Sequence, residues 1–392
     1  MHTARLFSAL LLAGTGFCPA AEPQTDRRLA TFSADVTVPL RHGMMGGAWL
    51  SKTIADPLEA HGLVLLGGGM KPVVFVAVDW CEIRNESLER WQRVLAEAAS
   101  TEADRVMVCA AHQHDAPVAD LAAERILRKR NAQGTVCDPT FHEVAVQRAA
   151  TALRESLASA RPVTHLGLGS AQVERIASNR RYLAPDGSVR FDRTSSTRDH
   201  VAREAPENLI DPWLKTLSFW DGDTALAAVS AYAVHPMSYY GQGEVSADFP
   251  GLARRLRQQE LPAVKQIYVT GCAGNATAGK YNTGATTNRP ALAERLRLAM
   301  ANAWNATRRI PLTQAGFRVE PVRLAAMGLA AIRRAQTRVA RGARYRARVG
   351  FGGEHPRPLV SRQWADLVGF PAGSALQQGT LPRCRGVGRG KR

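Results

Sequence analysis

Short apolar, β-branched runs recur along this chain, each trailed by a segment of helical periodicity. That alternation restricts it to the α/β class with at least partly parallel strands. Strands are predicted at 73–78, 106–111, 163–168, 214–219, 225–234 and 266–270. Helices are predicted at 88–99, capped by Ser87; at 141–157, capped by Thr140; and at 290–304, with Pro290 in the first turn, where its missing N–H is harmless. The expected architecture is a mixed, partly parallel sheet flanked by helices. Residues 182–212, broken by Pro185 and Gly187, read as a long excursion, a feature more often functional than inert.

Open α/β sheets collect ligands just past their strand ends, and three such places carry competent chemistry. In Ala110-Ala111-His112-Gln113-His114-Asp115-Ala116-Pro117, extended backbone points His112 and His114 to one side. They could serve as two metal ligands, or as one ligand and one acid/base. His235, in Tyr232-Ala233-Val234-His235-Pro236, ends a strand as a metal ligand or as a buried structural histidine. The third place is Thr270-Gly271-Cys272-Ala273-Gly274-Asn275-Ala276-Thr277, where glycines let backbone amides approach a ligand and Thr277 offers a hydroxyl. It lacks the lysine of a nucleotide-phosphate loop.

In order, the chain reads Ala34-Asp35-Val36-Thr37-Val38-Pro39, His112-Gln113-His114-Asp115-Ala116-Pro117, Ser178-Asn179-Arg180-Arg181, Val234-His235-Pro236 and Gly274-Asn275-Ala276-Thr277-Ala278-Gly279. This series resembles the motifs of the neutral/alkaline ceramidase family over residues 32–303. The resemblance implies a ceramidase-like catalytic domain and a zinc-dependent hydrolase of N-acyl linkages in sphingolipids. It implies His112 and His235 as zinc ligands and His114 as a proton-transfer or orienting group beside the bound water. Arg180 would hold the substrate head group, and Thr277 stands where the family has an active-site serine. Asp115 replaces a serine, either orienting a histidine or lying solvated. Asp79 and Asp248 resemble acids near the family's site, with capping or loop roles as alternatives. The glutamate and tyrosine that complete the family's zinc shell have no counterpart here, and two histidines fall short of the usual three protein ligands.

Charge decides the remaining classes. The 392 residues carry 51 Lys/Arg against 34 Asp/Glu, a net +17, which invites a nucleic-acid reading. Yet fifteen Lys/Arg and only two acids, Glu354 and Asp366, lie between Arg323 and Arg392, so the preceding 322 residues are nearly neutral. The expectation is therefore no nucleic-acid partner. A lipid-like or N-acylated small-molecule substrate, with peripheral membrane contact, fits instead. Residues 1–21 read as a signal peptide, with an apolar run at 6–13 and small residues Ala20 and Ala21, so the protein is expected to be exported, periplasmic or secreted. The catalytic domain is then 22–350 and the basic Gly/Pro/Arg-rich tail 351–392. Six scattered cysteines suggest neither a disulfide framework nor a cysteine zinc site. The main expectation is a zinc amidohydrolase. Its alternatives are an inactive, truncated or frame-shifted ceramidase-like chain and, on the tail charge alone, a polyanion-binding protein.

Overall fold

The computed structural model describes residues 26–320, apart from 133 and 135. The predicted signal peptide, residues 321–350 and the basic tail lie outside the described residues. The first sheet comprises β1 (Arg28–Asp35), β2 (Glu59–Leu66), β3 (Val73–Val78), β4 (Val106–Ala110) and the short β5 (Arg161–Pro162), in the order β5-β1-β2-β3-β4. The second comprises β6 (His165–Gln172), β7 (Trp213–Asp221), β8 (Thr224–Tyr232), β9 (Lys265–Thr270) and β10 (Arg308–Pro311), in the order β9-β8-β7-β6-β10. Each sheet is mixed, with one parallel pair: β3 with β4, and β8 with β9. The sequence pattern suggested one sheet; the partly parallel α/β character holds, distributed over two.

The reason is visible in the central strands, several of which bury both faces. In β3, Phe75 and Ala77 face the second sheet while Val74, Val76 and Val78 face helices. In β9, Ile267 and Val269 face the first sheet while Tyr268 faces helices. The sheets therefore pack on each other through Leu63, Phe75, Met107, Leu217, Phe219 and Val229, among others. The outer face of the first is covered by α1 (Asn85–Ala99) and α2 (Pro139–Ser156), and that of the second by α3 (Asp248–Glu260) and α4 (Asn288–Asn305). The result is four layers, helix–sheet–sheet–helix. Fully burying each large aliphatic or aromatic side chain contributes about 1.5–3 kcal/mol.

Two predicted caps are corrected. Ser87 lies inside α1, fully buried, and its hydroxyl accepts the Leu121 N–H at 3.0 Å. At α2, Pro139 takes the first helical position, so Asp138 becomes the cap and accepts the Thr140 N–H at 2.8 Å. Pro290 does fall in the first turn of α4.

This architecture contains two β-α-β units, β3-α1-β4 in one sheet and β8-α3-β9 in the other. The loops leaving the C-terminal ends of β3, β4, β8 and β9 carry Glu82, His112, His235 and the Gly271–Gly274 segment, and all four meet in one cleft.

Candidate metal and hydrolytic site

The cleft holds about 380 Å³ and is lined by Cys81, Glu82, His112, His235, Gly271 and Gly274, among others. His112 leaves β4 with φ +75°, a left-handed conformation uncommon outside glycine. Its N–H donates to the Trp80 carbonyl at 2.9 Å. Its Nδ1 lies 2.8 Å from the Cys81 carbonyl. His235 is fixed in the same manner, with Nδ1 3.1 Å from the Ala273 carbonyl and its N–H donating to the Ala276 carbonyl at 2.9 Å. Gly271 allows this approach, since a Cβ there would meet the Ala233 backbone at 3.3 Å.

A carbonyl oxygen only accepts, so each Nδ1 carries the proton and each Nε2 presents a lone pair. The two Nε2 atoms face each other at 2.9 Å. Two lone pairs so opposed repel unless a cation or a proton sits between them. Two nitrogens on one tetrahedral zinc stand roughly 3.3 Å apart. The donor pair and its backbone anchoring are therefore compatible with a metal ion, one protein donor short of the usual three.

His114 completes a cluster in which one ligand atom from each of the three histidines lies within 4.8 Å of the others. It is buried, with its ring 5.5 Å from His112, 5.4 Å from His235 and 4.9 Å edge-on from Tyr240. Tyr240 in turn stacks on Trp49 at 5.8 Å. The Arg180 segment is held to the glycine-rich loop, the Arg180 N–H donating to the Asn275 carbonyl at 2.8 Å and Ser178–Asn179 pairing with Ala276–Thr277. Burial pulls the half-buried Arg180 guanidinium below its ordinary value, against the opposing influence of Tyr240. Thr277 also bridges His235, so the arginine segment, Thr277 and the histidine lie side by side.

Of the five predicted site residues, His112, His114 and His235 converge and Arg180 is anchored to the adjoining loop. Thr277 differs. It is fully buried, and its hydroxyl donates to the Thr194 carbonyl at 2.6 Å while accepting the Gly279 N–H at 3.2 Å. Its one proton is committed to the backbone of the long excursion, so it acts as a strut rather than as a hydroxyl offered to the cleft. Gly279 permits the approach, because a Cβ there would meet the Thr194 oxygen at 2.3 Å.

Of the acids around the site, Glu82 escaped the sequence reading, and the structure decides among the alternatives left open for Asp115, Asp248 and Asp79. Glu82 places Oε1 4.0 Å from Nδ1 of His112, on the ring side opposite the histidine pair, and pairs with Arg84. Its signal was available, since it lies just past a predicted strand. Asp115 is not solvated: it is fully buried, accepts the Gly241 N–H at 3.0 Å and pairs with Arg289 at 3.0 Å. Burial pushes its carboxyl up to about 6, opposed by those two contacts. Asp248, fully buried as the first residue of α3, accepts the Phe249 N–H at 2.6 Å and, from the loop after His235, the Ser238 N–H at 3.0 Å. Asp79 belongs to a second cluster, paired with Arg254 at 3.0 Å.

The four-layer fold with histidines at the ends of parallel strands defines an α/β protein with a metal-competent cleft. Among solved structures it is similar to a ceramidase complexed with C2, at TM-score 0.55 and 19% identity over 71% of this chain and 44% of that one. It is likewise similar to the neutral ceramidase from Pseudomonas aeruginosa, at TM-score 0.56 and 18% identity over 71% and 45%. The chain thus has a neutral ceramidase fold and spans less than half the length of these structures. No protein-family model and no curated protein matches it.

Proposed function

We propose that the chain carries the catalytic portion of a zinc-dependent hydrolase of N-acyl linkages, ceramidase-like, acting on a lipid-like or N-acylated small molecule. The observation that carries this reading is the pair of backbone-fixed imidazoles, His112 and His235, whose Nε2 lone pairs meet at 2.9 Å inside a ceramidase fold. These two would hold zinc, which when bound lowers the pKa of its water and polarises the amide carbonyl. His114 would take the proton from the attacking water and return it to the leaving amine. Arg180 would bind the polar head of the substrate, and the amides of the Gly271–Gly274 segment would steady the developing oxyanion. Glu82 would support His112 from its Nδ1 side. Export after removal of residues 1–21 belongs to the same proposal, and N-terminal sequencing of the mature protein tests it.

A second reading, a chain that keeps the fold without catalysis, draws on Glu82 facing Nδ1 of His112 rather than the histidine pair. One experiment separates the two: zinc stoichiometry of the purified full chain together with release of a fluorescent acyl group from an N-acyl sphingoid substrate. Bound zinc with turnover supports the hydrolase. Folded protein that takes up no zinc at moderate excess supports the second reading.

A further inference from the structure

Resting on the zinc reading, we propose that Arg289 and Asp115 are a positioning pair that sets the separation of His112 and His235. The two histidines belong to different sheets, His112 following β4 and His235 following β8. What joins the sheets is mainly apolar contact, which is non-directional and tolerates sliding. A metal pair needs placement to roughly 0.5 Å, so directional bonds between the two loops must supply it. The Thr270 hydroxyl, donating to the Ala111 carbonyl at 2.6 Å, ties the sheets on the cleft side.

Arg289, in the first turn of α4, ties them on the far side. One guanidinium nitrogen donates to Asp115 Oδ2 at 3.0 Å and to the Tyr239 carbonyl at 2.8 Å, and Nε donates to the Ser238 hydroxyl at 2.9 Å. Asp115 spends its other oxygen on the Gly241 N–H at 3.0 Å. Asp115 lies three residues past His112, and Ser238 three past His235. A single planar group therefore staples both histidine loops within one turn of chain from the ligands. Asp248 at 3.6 Å, Glu244 at 3.8 Å and the Tyr239 ring at 3.8 Å surround the guanidinium. Lysine keeps the charge but cannot reproduce a fork that spans two loops.

The test titrates zinc into the full-length protein against a chromophoric chelator, for wild type, Asp115→Asn, Arg289→Lys and Arg254→Met. Arg254 is an equally buried, paired arginine that touches neither histidine loop. Zinc affinity should fall about 10- to 100-fold in Asp115→Asn and Arg289→Lys. Arg254→Met should lower the melting temperature while holding affinity within about twofold. Asp115→Asn is nearly isosteric and serves should Arg289→Lys fail to fold. Wild-type affinity in both folded variants overturns the pairing while leaving the zinc reading intact, and so does an equal loss in Arg254→Met. A wild type that binds no zinc overturns both.

Discussion

Among the described residues, two clusters that share no residue look alike by ligand spacing and differ in chemistry. In each, three candidate groups come within 4.8 Å: His112, His114 and His235 in one, Glu59, His61 and Asp79 in the other. Each also leans on a buried arginine from a helix of the second sheet. Arg289 binds Asp115, the Ser238 hydroxyl and the Tyr239 carbonyl behind the histidines, whose Nε2 atoms face each other at 2.9 Å. Arg254 instead donates directly to Asp79 at 3.0 Å and Glu59 at 3.2 Å, and Lys265 contacts Ser33, which lies 3.3 Å from His61. Protein cations already neutralise the second set. Proximity of ligand atoms is therefore not sufficient for a metal site; what matters is whether protein cations already neutralise the donors.

The largest effect that could break this contrast is on metal uptake. His112→Ala should abolish stoichiometric zinc binding, and His61→Ala should leave it unchanged, as read by metal analysis after dialysis. Retained zinc in the first variant, or lost zinc in the second, would reverse the assignment. His114→Ala sharpens the picture within the first cluster. Activity should fall by about 10²- to 10⁴-fold with zinc retained, as for a proton-transfer group; loss of zinc in parallel would instead make His114 the third ligand.

In stability the order inverts. Arg254→Met strands the buried Asp79 and the partly buried Glu59 and should cost about 3–5 kcal/mol by chemical denaturation. A loss below about 1 kcal/mol, typical of solvated surface pairs, would contradict this account.

How far these two regions could be read from sequence follows from the range of the interactions. The first β-α-β unit and the positions of His112 and His235 were legible because periodicity and strand ends are local signals, whereas the helix of the second unit, α3, was not predicted. The division into two sheets was not, since a run such as Val73–Val78 announces two buried faces without naming what covers each. The direction of the Thr277 hydroxyl depends on Thr194, 83 residues away, and the Asp115–Arg289 pair spans 174 residues. Nothing local marks Arg289 as different from the partly buried Arg295 and Arg297 of α4, and Arg254 is as anonymous on α3.

Titration offers a smaller test away from the cleft. Burial pushes His142 down to about 4, and burial with Arg254 beside it pushes His61 down to about 3. Both are neutral when folded, whereas the unfolded chain takes up protons near 6.5. Their stabilising contribution is therefore full above about pH 6.5 and falls as pH drops, by up to about 1.4 kcal/mol per unit for each histidine, until the folded value is reached. His142→Gln should flatten the slope of stability against pH between about 6 and 4.5 by one proton equivalent. An unchanged slope would mean that His142 titrates normally.

The smallest effect separates the clusters by backbone conformation. His112 holds φ at +75°, a region that costs a residue with a Cβ about 1–2 kcal/mol. His61 lies in the regular strand β2, paired with Ser33 and Ala77, where glycine is the poorer choice by about 0.5–1 kcal/mol. In chelator, His112→Gly should therefore be more stable than His112→Ala by about 1 kcal/mol, while His61→Gly should be less stable than His61→Ala. Melting temperatures of the four variants measure both differences. The same sign at both positions would mean that the left-handed turn relaxes once the imidazole is gone, making the ring and its Cys81 contact the cause of the strain rather than its beneficiary.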